Sequence, residues 1–159
     1  MYSPTHFEEN RPEVLHALIA AHPLGQLVTH GPDGLDANPL PFELDAAAGP
    51  QGTLRAHVAR ANPVWRQAGD TEVLVIFQAA DGYISPNWYP SKPEHHRHVP
   101  TWNYAVVHAH GVLRVREYGR DNPEAHERVL IHGSIMHGQQ FLAPHFRQRP
   151  TSYYSPNSG

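Results

Sequence analysis

The stretch Leu54-Arg55-Ala56-His57-Val58-Ala59-Arg60-Ala61-Asn62-Pro63-Val64-Trp65 reads as a β-strand that runs straight into a short helix. Pro63 stands where a first helical turn tolerates proline, because that position needs no backbone donor. Asn62 precedes it as an N-cap, with a side-chain oxygen able to accept from the free N–H groups of the turn. Arg55 and His57 fall on one face of the strand by its period of two, and Arg60 lies two residues before the cap. A cation beside backbone donors at a helix start suits a phosphate or another anion. The same residues also describe an ordinary strand-to-helix corner with a solvated arginine, and the corner alone does not separate the two.

Outward from that corner, the chain is rich in strand signals. Glu72 to Gln78 (EVLVIFQ) is the most apolar stretch and is expected to be a central strand. Gly25 to Thr29 reads as a short strand, followed by a turn at Gly31-Pro32-Asp33-Gly34. Leu35 to Leu44 is extended, but Pro39 and Pro41 cannot donate to a ladder, so this strand belongs at an edge, at a bulge or against a ligand. Trp102 to His110 and Val112 to Glu117 complete the β part, with Gly111 as a bend or bulge. One helix precedes the strands over residues 11–21, where Val14, Leu15, Leu18 and Ile19 form an apolar stripe and His22-Pro23 ends it. Six or so strands and one leading helix predict a mainly β antiparallel barrel. A helix beginning at Asn122-Pro123-Glu124 and running to Ile131 is also expected.

Composition narrows the function. The 159 residues suit one domain with a proper core, and 17% charge with 16 prolines and 12 glycines favours a turn-rich β fold. With no cysteine, disulfides, thiolate metal sites and cysteine nucleophiles are excluded. No run of about 18 apolar residues occurs and Met1 to Asn10 lacks the apolar centre of a signal peptide. A soluble cytoplasmic protein, with no membrane partner, is the expectation. Net charge is −3, and 12 lysines and arginines without a basic run or helix-turn-helix pattern leave dedicated DNA binding unsupported. A local DNA-binding patch on a dimer surface stays open.

Histidine is over-used, with 14 copies. His95-His96-x-His98 and His108-x-His110 have spacings that imidazole ligands can use, but two on a strand face need further partners and an orienting shell. No metal site is therefore expected. The long segment Asp81 to Pro100 carries Tyr83, Ser85, Trp88, Tyr89 and Lys92, and reads either as a loop pinned over the core or as a wall against a flat ring. Trp102 has the same two readings, and burial in the core is the commoner one.

Six ordered motifs then resemble one family. They are Met1-Tyr-x-Pro-x-His-Phe7, His22-Pro-Leu-Gly25, Leu35-x-Ala-Asn-x-Leu-Pro-Phe42, His57-Val-Ala-Arg-Ala-Asn-Pro63, Tyr83-Ile-Ser-Pro-x-Trp-Tyr89 and Val99-Pro-Thr-Trp-Asn-Tyr104. Together they resemble the PaiB family, described as FMN-binding negative transcriptional regulators. The resemblance implies an FMN-binding split β-barrel related to pyridoxamine-phosphate oxidases, usually a homodimer with flavin at the subunit interface. It implies FMN contacts from Asn38, Leu40, Pro41, His57, Val58, Arg60, Asn62, Thr101 and Trp102. Arg60 and Asn62 would hold the phosphate, and Asn38 to Phe42 would lie along the isoalloxazine edge. No catalytic residue is implied. From about Tyr118 the resemblance stops, so the expected organisation is a split-barrel domain over 1–117 and a divergent or truncated segment over 118–159 packed on the barrel, with a mobile tail from about 150. Two rivals remain: a flavin-dependent oxidoreductase of a small molecule, and a regulatory dimer whose site is empty or haem-linked through a histidine.

Overall fold

Strand-forming alternation covers most of this chain, and the computed structural model gathers it into one curled sheet; the structure describes residues 3–92, 99–116 and 126–141. In chain order the elements are β1 (Glu8–Glu9), α1 (Pro12–Ala21), β2 (Leu24–Gly31), β3 (Gly34–Pro41), β4 (Glu43–Asp45), β5 (Thr53–Ala59), α2 (Val64–Gln67), β6 (Glu72–Gln78), β7 (Gly82–Ile84), β8 (Thr101–Arg116) and β9 (His126–Phe141). The strand order is β3-β2-β6-β8-β9-β5-β4, with β1 added to β9 and β7 to β8. Every pairing is antiparallel. This is the split barrel expected from the sequence, mainly β with two helices.

Alternation decides which side of the sheet is inside. On β6, Val73, Val75 and Phe77 are buried while Leu74 and Ile76 are only half-buried. Leu27 on β2, Val107, Ala109 and Leu113 on β8, Ile131 on β9 and Leu54, Ala56 and Val58 on β5 share that inner side and one core. Helix α1 closes one side of it with Leu15 and Ile19, two of the four residues of its predicted stripe. Burying a side chain such as Phe77 or Leu27 contributes about 1.5–3 kcal/mol each. Among the described residues no helix is long and apolar enough to cross a membrane.

Several local expectations hold with their reasons. Residues 31–34 form the tight connection of the β2–β3 hairpin. β3, which carries Pro39 and Pro41, is the edge strand of the sheet, where a missing donor costs no ladder bond. Gly111 does mark an irregularity: the β8–β9 register shifts between His110 and Gly111. Other expectations do not hold. Residues 126–131 are strand and not the end of a helix, because their backbone pairs with β5 and, from Arg128 on, with β8 as well. The structure has nine strands among the described residues, since short β1, β4 and β7 give no periodic signal of their own. Helix α1 starts one residue later than expected, at Pro12, after Arg11, whose backbone N–H donates to Glu9. The Asn122-Pro123-Glu124 group, the His95–His98 group and the tail from about residue 150 lie outside the described residues.

Gly25 shows how tightly the sheet rolls. A Cβ there would stand 2.7 Å from Phe77 Cε1, 2.8 Å from Val75 Cγ1 and 3.1 Å from Phe42 Cδ2. The Phe42 ring meets Phe77 edge-on, with centroids 5.6 Å apart, so neither ring can yield without disturbing the other. Gly25→Ala is expected to lower stability by about 1–3 kcal/mol through overpacking, seen as a fall in the urea midpoint. An unchanged midpoint would mean that the rings have room to move.

Candidate functional site

The corner after β5 is built as its sequence foretells. Pro63 already has helical angles (φ −73°, ψ −11°), and the Asn62 side-chain oxygen accepts from Val64 N–H at 2.9 Å. The turn therefore begins at Pro63 with Asn62 as its capping side chain. The other half of the Asn62 amide reaches across the sheet: Nδ2 donates to Asn38 Oδ1 at 3.0 Å. Asn38 Nδ2 in turn donates to Asp36 Oδ2 at 2.8 Å. A single run of donors and acceptors thus links Val64, Asn62, Asn38 and Asp36, and it ties the corner to edge strand β3.

That tie brings two predicted segments to one seam. Asn38, Leu40 and Pro41 come from β3; His57, Val58, Arg60 and Asn62 come from β5 and its corner. Pro41 and His57 line one cleft of about 340 Å³ together with Pro23, Phe42, Glu43, Arg55 and Ala56. The side chains are not equivalent. Leu40 and Val58 belong to the core, at 9% and 2% exposure, so a ligand in the seam meets them through backbone or not at all. Arg60 and His57 are exposed. Arg55, on the same strand face as His57, is engaged by Asp45 and is thereby neutralised. The Asp36 carboxylate at the far end of the amide run disfavours an anion beside β3 and leaves the Arg60 side as the better place for one.

Two neighbours of the corner were not singled out from sequence. The Arg66 guanidinium lies over the Trp65 ring, 4.5 Å from its centroid, and adds a second exposed cation. The Trp65 indole N–H donates to the Arg60 carbonyl at 3.2 Å and fixes the backbone that carries Arg60. Asp36 could have been found by its spacing, since it shares a strand face with Asn38. Arg66 could not, because its position over Trp65 depends on the turn of α2.

Thr101 and Trp102 are not brought to this seam. His57 is in register with Arg128, and Arg128 with Arg116 at the end of β8. Trp102 stands near the opposite end of that 16-residue strand. Nor is Trp102 a core residue: it is 53% exposed. Its ring meets Tyr83 edge-on at 6.1 Å, and Tyr83 meets Trp88 at 6.5 Å. Tyr83 and Trp88 are half-exposed as well. The three rings therefore form a surface cluster where β7 pairs with the start of β8, and Trp88 does not pin a loop over the core. Beside them Lys92 Nζ donates to Asn87 Oδ1 at 2.5 Å, and Ser85 Oγ accepts from Asn87 N–H at 3.2 Å.

Comparison with known proteins agrees with this architecture. Residues 1–154 match the family described as "Putative FMN-binding domain". The chain is 34% identical over 140 residues to the Saccharomyces cerevisiae protein YKL070W, covering 76% of this chain and 82% of that one. It is 33% identical over 118 residues to the Bacillus subtilis protease synthase and sporulation protein PAI 2, covering 74% of this chain and 54% of that one. The chain thus spans about half the length of that bacterial relative. Among solved structures, the flavocytochrome Anf3 of Azotobacter vinelandii superposes with a TM-score of 0.66 at 12% identity, over 87% of this chain and 71% of that one. A Listeria innocua protein described as "Putative Pyridoxamine 5'-phosphate oxidase" superposes with a TM-score of 0.51 at 15% identity, over 79% and 94%. Identities this low speak for the fold alone.

The amide run makes a measurable demand on Asn62. Asn62→Ala removes both the cap on Val64 and the tie to Asn38, and is expected to cost about 1–2 kcal/mol. Asn62→Asp keeps the capping oxygen but loses the donor to Asn38, so it should recover part of the loss. Equal stability of all three proteins in chemical denaturation would show that the seam holds without this side chain.

Proposed function

Because the chain belongs to the FMN-binding domain family matched over residues 1–154, we propose that it binds FMN in the seam between β3 and the corner after β5. The observation that carries this is the hydrogen bond between Asn62 and Asn38, which sets an exposed arginine at one end of a proline-bearing strand edge. Arg60 is the phosphate ligand: its exposed guanidinium is suited to charge-assisted bonds with a dianion, and Arg66 adds to the local positive field. Asn62 acts by positioning, since both ends of its amide are already engaged.

The rest of the seam suits a flat ring with a polar rim. Pro39 and Pro41 lack N–H groups and sit two apart on an edge strand, so the open side of β3 offers carbonyl oxygens. Ala56 and Phe42 supply apolar surface in the cleft, and His57 stands at its exposed margin. When bound, the flavin would supply one- and two-electron redox chemistry; the chain's own residues bind and orient it and limit its contact with water. Thr101 and Trp102 serve the same ligand only from a second copy, because in one chain they lie at the far end of β8. A homodimer with flavin at the subunit interface accommodates them.

In the cell we assign this chain the role of a cytoplasmic, PaiB-type FMN-binding regulator of transcription. Its likeness to a Bacillus protein named for protease synthesis and sporulation favours regulation over small-molecule oxidation. Regulation need not involve DNA contact by this chain, whose net charge is −3.

Arg60→Ala is expected to weaken FMN binding by about 1.5–3 kcal/mol, the usual loss for a hydrogen bond to a charged group; fluorescence titration of the flavin measures it. Unchanged affinity would remove Arg60 from the site. The chain alone is also expected to give no specific gel shift at physiological salt, and a shift that resists competitor DNA would overturn that expectation.

A further inference from the structure

Asp36, Asn38 and buried Leu40 alternate along β3, so their side chains leave the strand on one side. Asp36 Oδ2 accepts from Asn38 Nδ2 at 2.8 Å, and Asn38 Oδ1 accepts from Asn62 Nδ2 at 3.0 Å. Asn62 Oδ1 accepts from Val64 N–H at 2.9 Å. The two ends of this run have no choice of role. A backbone N–H only donates and a carboxylate only accepts, whereas an asparagine amide has a donor end and an acceptor end and can be turned over. Just one orientation of each amide makes all three bonds.

Turning Asn38 over would set its NH2 group against the NH2 group of Asn62 and its oxygen against the Asp36 carboxylate, so both bonds would be lost. The cap on Val64 holds Asn62 but does not reach Asn38. On the β3 side that duty falls to Asp36, and without it a single bond, from Asn62, is left to hold the Asn38 amide. The orientation also decides what the seam has left to offer. Each amide nitrogen carries two N–H groups and the run uses one of each, so Asn38 and Asn62, both half-buried, each keep one donor. An anion is disfavoured beside Asp36. The donor on Asn38 therefore suits a neutral carbonyl, and a charged group belongs at the Arg60 end.

We propose that Asp36 is a positioning residue of the seam: through Asn38 it fixes which way both amides face, and it thereby selects a ligand with a carbonyl-bearing edge at β3 and its charge at the corner. FMN has that layout, with carbonyl groups on its ring and a dianion at the far end of its side chain. This role rests on the reading that FMN binds in the seam, and it adds the residue that sets the direction of the ligand there. Asp36 itself need not touch the flavin, since it acts through Asn38.

Asp36 is exposed, so its replacement removes no core contact. The test compares Asp36→Leu, which has no acceptor, with Asp36→Asn, whose amide oxygen can still accept from Asn38. In fluorescence titrations of the full chain, Asp36→Leu is expected to bind FMN about fivefold more weakly, the usual effect of one lost hydrogen bond. Asp36→Asn should bind at least as tightly as the parent. In an Asn38→Ala background Asp36→Leu should change nothing further, because the two side chains act as one unit. Nuclear magnetic resonance reads the orientation without flavin: solvent exchange of the Asn38 side-chain amide protons should quicken in Asp36→Leu and not in Asp36→Asn. Far-UV circular dichroism establishes that each variant folds, and Asp36→Ala replaces Asp36→Leu if that one does not. Equal FMN affinity of Asp36→Leu and the parent, an Asp36→Asn as weak as Asp36→Leu, or additive losses in the double variant would overturn the proposal. No FMN binding by the parent would overturn the reading of the seam; unchanged amide exchange in Asp36→Leu, with FMN still bound by the parent, would overturn the role of Asp36 alone.

Discussion

A sheet with one apolar face has to cover that face with itself when, among the described residues, only two short helices are at hand. This constraint shapes the rest of the molecule. The inner row runs through β2, β6, β8, β9 and β5 without a second layer, so the strands curl until β3 and β5 face each other. Curling this tight needs a position with no side chain where β2 passes over Phe77 and Val75, and Gly25 is that position. It also needs a long strand to carry the sheet around. β9 does this, pairing with β8 along most of its length and with β5 over its first seven residues.

The seam is the product of that curl. No ladder joins β3 to β5, so side chains must hold the two together, and Asn38 and Asn62 do so. A cap on a helical turn is an ordinary local device; here the same amide also closes the barrel. The corner that carries Arg60 is therefore tied to edge strand β3, as the proposed phosphate site requires. Arg55 lies on β5 itself, and its pairing with Asp45 spends its charge on structure.

Two surface features stay unused by a single chain. The Tyr83, Trp88 and Trp102 rings form an exposed cluster away from the seam, and His108 and His110 stand side by side on the outer row of β8. Exposed aromatic clusters of this kind mark contact surfaces more often than chance. The aromatic cluster suits the dimer-shared site proposed above.

Much was legible from the residues. The Asn62 cap, the turn at 31–34, the edge placement of Pro39 and Pro41, the central strand 72–78 and the leading helix follow from local rules: capping, missing donors and periodicity. Those rules act within a few residues, so sequence alone states them. The fate of 126–141 was not legible, because Gly133 and Gly138 and an extra residue at 134 break the alternation that announces a strand. Trp102 reads more readily as core from its residue type, but apolarity says nothing of which end of a strand leaves the barrel. Only the tertiary structure decided that Asn38 meets Asn62 and that Trp102 stands near the opposite end of β8 from Arg116, the residue that β9 links to β5. Each depends on register and closure, and these are set by the whole sheet burying one face against itself.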